Sequence, residues 1–126
     1  MGARQATILV ADDEPSIRLL CRVNLELEGH RVLEAGTLDE ARAALDQNDV
    51  DVLLIDVHLG KHDGRDLVRE LRGRGLELPV ALLTGSVALS HDERAGADEL
   101  IEKPFALEEL AEVVRRLAFR AAPRHE

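Results

Sequence analysis

Five short apolar runs recur along the chain, and between them the apolar residues fall at helical spacing. Thr7-Ile8-Leu9-Val10-Ala11, Val52-Leu53-Leu54-Ile55 and Val80-Ala81-Leu82-Leu83 are continuous rather than alternating. Such runs predict strands covered on both faces. Arg31 to Ala35, centred on Val32 and Leu33, and the short pair Leu100-Ile101 complete the set. Pro15 suits the first turn of a helix over 15–28, with Ile17, Leu20, Cys21 and Leu27 on roughly one face and Gly29 as the stop. Thr37-Leu38-Asp39-Glu40 is a capping box that opens a second helix through Ala41, Ala44 and Leu45. A third helix runs from about Arg65 to Arg72, and its mixed charges read as a solvated face. A short helix is expected between Ser90 and Ala95. The last starts near Ala106 and turns Leu107, Leu110, Val114 and Leu117 inward. Its acids come early and its arginines late, as the helix dipole favours. Strict alternation of strand and helix predicts an α/β fold, a parallel sheet with right-handed crossovers and helices on both faces.

The 126 residues suit one domain with a real core, residues 1–126 with the core over about 7–117. Aromatic residues are only 2%, so that core has to be aliphatic. A net charge of −9 argues against a nucleic-acid-binding surface, which needs a basic stripe. Cys21 is the one cysteine, which excludes an internal disulfide and a cysteine-based zinc cluster. No apolar stretch approaches the ~20 residues of a membrane span. The first residues lack the apolar centre of a signal peptide. The expectation is therefore a cytoplasmic protein with no membrane partner.

The chemistry gathers at the ends of the apolar runs. Asp12-Asp13-Glu14 follows the first, Asp56 follows the third, Thr84 follows the fourth, and Lys103-Pro104-Phe105 follows the fifth. In an open parallel sheet those ends form the crevice where ligands bind. If the runs are neighbouring strands, three carboxylates and one ammonium meet at one point, which a divalent cation and a phosphoryl group would use. Taken singly, each feature has a plainer reading. The acids before Pro15 can cap a helix, Asp56 and Thr84-Gly85-Ser86 can be turn residues, and Lys103-Pro104-Phe105 can be a loop with a packing aromatic. His58 and His62 have a spacing that zinc sites use, but in a loop that spacing does not place them on one face, and solvated histidines are the expectation.

Taken together and in order, these residues resemble the receiver domain of bacterial two-component response regulators, from about Thr7 to Leu117. The resemblance rests on Asp12-Asp13, Asp56, Asp63-Gly64, Thr84 and Lys103-Pro104-Phe105. It implies a flavodoxin-like, doubly wound sheet of five parallel strands in the order 2-1-3-4-5, with five helices on both faces. It implies that Asp56 accepts a phosphoryl group from a phosphohistidine on a histidine kinase or phosphotransfer protein. It implies that Asp13 and Asp56 ligate Mg²⁺ with the backbone carbonyl of His58, that Asp12 acts through a water, and that Lys103 and Thr84 hold phosphoryl oxygens. The family's bond between Lys103 and Pro104 is cis. Such a domain is a signalling phosphoacceptor rather than an enzyme, and it switches a downstream target or a homodimer.

The chain departs from the family pattern in places. Gly60 stands where Pro is usual and His62 where an apolar residue is usual, which predicts a looser, wetter loop. His58 stands where the family tunes the lifetime of the acyl phosphate. Leu100 replaces the common Tyr or Phe. The stretch from Thr84 to Ala95-Gly96-Ala97 is about one helical turn short, so phosphorylation is expected to be kept and output geometry to be unusual. With nothing after Glu126, no output domain is expected. Three other readings compete. A pseudo-receiver used only for binding typically loses an acid or the lysine, and here all are kept. A phosphatase of the haloacid dehalogenase type wants a carboxylate at position 58 and a cap domain. A flavin or dinucleotide binder wants a G-x-G-x-x-G turn after the first strand.

Overall fold

The structure, a computed structural model, describes residues 5–85 and 89–121. Ser86 lies outside them. The order along the chain is β1 (Thr7–Ala11), α1 (Pro15–Leu27), β2 (Arg31–Ala35), α2 (Leu38–Gln47), β3 (Val52–Asp56), β4 (His58–Leu59), β5 (His62–Asp63), α3 (Arg65–Gly73), β6 (Val80–Thr84), β7 (Glu99–Glu102) and α4 (Leu107–Ala121). Five strands pair in parallel in the order β2-β1-β3-β6-β7. This is the expected doubly wound sheet.

The continuous apolar runs are explained by cover on both sides. Ile8, Val10, Val52, Leu54, Ala81, Leu83 and Ile101 face α1 and α4. Leu9, Ala11, Leu53, Ile55, Val80 and Leu82 face α2 and α3. Alternate side chains of one strand thus enter opposite cores, so no polar position is left inside it. Burying a Leu, Ile or Val fully contributes roughly 1.5–3 kcal/mol, and most of the side chains of β1, β3 and β6 are of this kind.

Three expectations need correction. On α1 the inward row is Ile17, Cys21 and Leu25, while Leu20 and Leu27 are exposed. Apolar residues cover so much of this helix that periodicity alone does not choose the buried side. Leu107 likewise opens α4 half exposed rather than inward. Finally, the described residues hold four α-helices, not five. In place of the short helix expected between Ser90 and Ala95, Asp92–Arg94 form a single 3-10 turn. Ser90 and Glu93 do exchange the reciprocal bonds of a capping box, at 2.8 and 3.2 Å. The helix stops after one turn because Ala95 and Gly96 adopt left-handed φ of 56° and 92°.

Side chains from α3 hold this short segment. Arg72 donates from Nε to the Gly96 carbonyl at 3.0 Å, from Nη1 to the Leu76 carbonyl at 2.9 Å, and from Nη2 to Asp98 at 3.2 Å. Arg65, two turns earlier, donates to the Glu93 carbonyl at 2.9 Å. This edge of α3 is therefore a set of clamps rather than a solvated face.

The opposite end of the sheet is closed by two buried polar groups. Asp51 accepts from the Thr7 amide at 2.9 Å, and His30 Nδ1 accepts from the Ala6 amide at 3.1 Å. Burial pushes His30 below its ordinary value of 6.5, with Glu28 opposing and Arg115 reinforcing the shift. The native state thus prefers the neutral ring that can accept. Its contribution is complete above the unfolded value and is lost as pH falls through 6.5 toward the lower native value. In urea melts, wild type is expected to lose more stability than His30→Gln between about pH 7.5 and about pH 5.5. Equal losses would show that the ring does not titrate differently in the two states.

Candidate functional site

The parallel register brings the C-terminal ends of β1, β3, β6 and β7 side by side. Asp12 follows β1 directly. Its backbone is fixed by its amide on the Ala35 carbonyl at 3.0 Å and by Arg18 Nη1 on its own carbonyl at 2.7 Å. Its side chain is fully buried, with Oδ1 accepting from the Glu14 amide at 2.9 Å. That bond is an Asx-type turn ahead of α1. Glu14 is the N-cap of α1, and its side chain makes no capping hydrogen bond.

Asp56 ends β3 and is 6% exposed. Its Oδ1 accepts from the His58 amide at 2.9 Å. Lys103 reaches in from beyond β7, placed by its amide on the Thr84 carbonyl at 2.8 Å and followed by a cis bond to Pro104. Its Nζ donates to Asp56 Oδ2 at 2.7 Å and to Asp12 Oδ2 at 2.8 Å. The exposed Glu14 carboxylate lies 3.7 Å from the same ammonium. Asp13 is exposed, and one oxygen each of Asp12, Asp13 and Asp56 lie within 4.8 Å of one another. Thr84 closes β6 and is buried at 3% exposure.

The electrostatics follow from this packing. Burial raises the Asp12 carboxyl above its ordinary 3.8, and the Lys103 hydrogen bond and the Glu14 amide pull it part of the way back. Burial alone would lower the Lys103 ammonium, but bonds to Asp12 and Asp56 outweigh it and hold the group firmly charged. Three carboxylates face one ammonium, so the crevice keeps excess negative charge. Carboxylate oxygens at this spacing suit a small hard dication that retains waters.

The loop after Asp56 differs from the expectation of a looser one. His58–Leu59 and His62–Asp63 pair as a two-stranded antiparallel hairpin. Gly60, with φ 64°, takes the first central position of its turn, as in a type II′ turn. Proline, locked near −65°, is excluded from that conformation. His58 pairs with Asp63 and Leu59 with His62. Neighbours along a strand point to opposite sides, so the two histidines do not share a face. Among the described residues, the one group of potential metal ligands is Asp12, Asp13 and Asp56.

Gly64 is the residue whose role only the packing reveals. Its amide donates to the Val57 carbonyl at 2.8 Å, and a Cβ there would stand 2.0 Å from the Asp56 carbonyl oxygen. Arg18 is a second such residue, because a partner that is a main-chain carbonyl leaves no trace in residue types.

A doubly wound sheet with this crevice defines a class, and comparison with known proteins agrees with it. The family model of the response regulator receiver domain matches residues 8–115. The chain belongs to that family. The response regulator MprA of Mycobacterium tuberculosis is 38% identical over 119 residues, covering 92% of this chain and 52% of that protein. The chain thus spans about half the length of the curated relatives it matches. Among solved structures, NtrX from Brucella abortus superposes with a TM-score of 0.85 at 32% identity, covering 97% of this chain and 28% of that one. A Francisella response regulator receiver domain gives 0.82 at 28% identity, covering 91% and 98%.

Proposed function

We propose that this domain takes a phosphoryl group onto Asp56 from the phosphohistidine of a histidine kinase or phosphotransfer protein, with Mg²⁺ held by Asp13, Asp56 and the His58 carbonyl and by Asp12 through water. The observation that carries this reading is the meeting of three carboxylates within 4.8 Å, two of them on the Lys103 ammonium. Bound Mg²⁺ supplies charge neutralisation for phosphoryl oxygens.

The chain's own groups divide the remaining work. A carboxylate oxygen of Asp56 attacks phosphorus, the P–N bond breaks, and the donor imidazole leaves with its electron pair. The oxygen that faces Lys103 is the one already beside a cation. Lys103 passes from carboxylate to phosphoryl oxygen, as a compact ammonium on a flexible stem can do. The Thr84 hydroxyl, at the neighbouring strand end, serves as a further donor. The result is a switched surface for a downstream protein or a second copy, and the net charge of −9 disfavours direct binding to nucleic acid.

The metal part is tested by thermal melting. At ten times its dissociation constant, Mg²⁺ should stabilise by about 1.4 kcal/mol, or about 5 °C in a domain of this size. Asp13→Asn removes one of three crowded negative charges, so its metal-free melting temperature should rise while the Mg²⁺ increment disappears. A wild-type melting temperature that ignores Mg²⁺ would refute the metal assignment.

A further inference from the structure

A continuous line of contacts leaves Asp56 and ends on the 3-10 turn that replaces the helix expected between Ser90 and Ala95. Asp56 Oδ1 accepts from the His58 amide at 2.9 Å. His58 pairs across the hairpin with Asp63. The Asp63 carboxylate is gripped by the Arg65 guanidinium, Nε to Oδ1 at 3.0 Å and Nη2 to Oδ2 at 2.8 Å. The third nitrogen, Nη1, donates to the Glu93 carbonyl at 2.9 Å. One rigid plane thus touches the hairpin beside Asp56 and the 3-10 turn at once.

From this geometry we infer that Arg65 is a positioning residue that couples the state of Asp56 to the conformation of residues 89–98. The inference rests on the phosphoacceptor reading of Asp56. A guanidinium carries its donors in a fixed fork, so moving Asp63 tilts the plane and moves the donor to Glu93. The receiving segment is short, and its apolar side chains Leu89, Ala95 and Ala97 are only partly buried against the core. It has one helical turn, a left-handed Ala95, and attachment through arginine clamps on carbonyl oxygens. Phosphorylation changes an Asp56 carboxylate that now holds the His58 amide, so the hairpin is the first element to register it. The Asp63 end is firm. Its fork with Arg65 holds the carboxyl below the ordinary range. Physical contact alone does not establish coupling, which needs a measurement on both ends.

Amide hydrogen exchange of peptides spanning 89–98 supplies it, with intact mass read on the same samples of wild type, Arg65→Gln, Arg65→Lys and Asp63→Asn. The probe is acetyl phosphate with Mg²⁺. In wild type, phosphorylation should slow exchange in this segment by about fivefold or more, the lower range of an allosteric coupling. All three variants should still gain a phosphoryl group, yet lose that slowing. Lys keeps the charge but not the fork, so its failure separates geometry from electrostatics, and cooperative melting of each variant separates coupling from misfolding. No phosphoryl gain in wild type would overturn the phosphoacceptor reading and this inference with it. A phosphoryl gain in wild type with no change in exchange, or with equal slowing in Arg65→Gln or Arg65→Lys, would overturn the inference alone.

Discussion

Gly64→Ala is expected to cost about 3 kcal/mol, the upper end for overpacking, and to lower the melting temperature by about 10 °C. The new methyl group would sit 2.0 Å from the Asp56 carbonyl oxygen and 3.0 Å from Ile55 Cγ1. The first neighbour is main chain and has no rotamer to give. Gly64 itself has φ −60°, so backbone conformation does not require glycine there; the closeness of two chain segments does. Relief can come only by moving the end of β3 away from the start of α3. That displaces the Asp56 carboxylate proposed to attack phosphorus, and an ångström-scale displacement at a reacting group costs about 100-fold in rate. Gly73→Ala is the control. Gly73 ends the helix that Gly64 precedes, a Cβ there meets nothing within 4 Å, and the melting temperature of that variant should hold or rise. Equal behaviour of the two variants in melting and in phosphoryl uptake would show that the approach at Gly64 is not tight.

Lys103→Ala should be comparably severe for a different reason. Asp12 is fully buried, and among the described residues Lys103 is the one cation hydrogen-bonded to its carboxylate. Removing one partner of a buried ion pair typically costs about 3–5 kcal/mol. The lower figure applies here, because Asp12, already raised by burial, can take up a proton instead. The sign follows from that direction. A carboxyl raised in the native state gives stability that is present at low pH and is lost as pH rises through the native value. Without Lys103 the raise grows, so the variant should be nearest to wild type in acid and fall furthest behind near neutrality. Added Mg²⁺ should narrow the gap, since it brings back positive charge. Phosphoryl uptake should fall by about 100- to 1,000-fold, the range for losing one aimed donor. A deficit independent of pH in urea melts would argue that Lys103 acts only through packing.

Most of the sheet is visible in the chain because its strands are buried on both faces. Ile8-Leu9-Val10 and Val52-Leu53-Leu54-Ile55 have no polar side to hide, and each stops at an acid. Asp12, Asp56, Thr84 and Lys103 were legible for the same reason, since strand ends in a parallel sheet share one crevice. What stayed hidden depends on main-chain partners or on neighbours far along the chain. Arg65 and Arg72 look like any solvated charges until the carbonyls of Glu93 and Gly96 are placed beside them. Gly60 reads as a loosening of the loop, yet its positive φ is what closes the hairpin. The buried side of α1 could not be chosen because Leu19, Leu20, Val23 and Leu27 compete with Ile17, Cys21 and Leu25. Ser90 and Glu93 did carry a helix-start signal, and Gly96 a stop, close enough together to mark one turn.

The crevice is proposed to make Asp56 a phosphoacceptor. Incubation with acetyl phosphate and Mg²⁺, followed by intact mass before and after hydroxylamine, tests it most directly. Wild type should gain the mass of one phosphoryl group, hydroxylamine should remove it as expected of an acyl phosphate, and Asp56→Asn should gain nothing. A wild-type protein that stays unmodified, or an Asp56→Asn variant that is modified equally, would contradict the account and leave a binding module that works without phosphorylation at this residue.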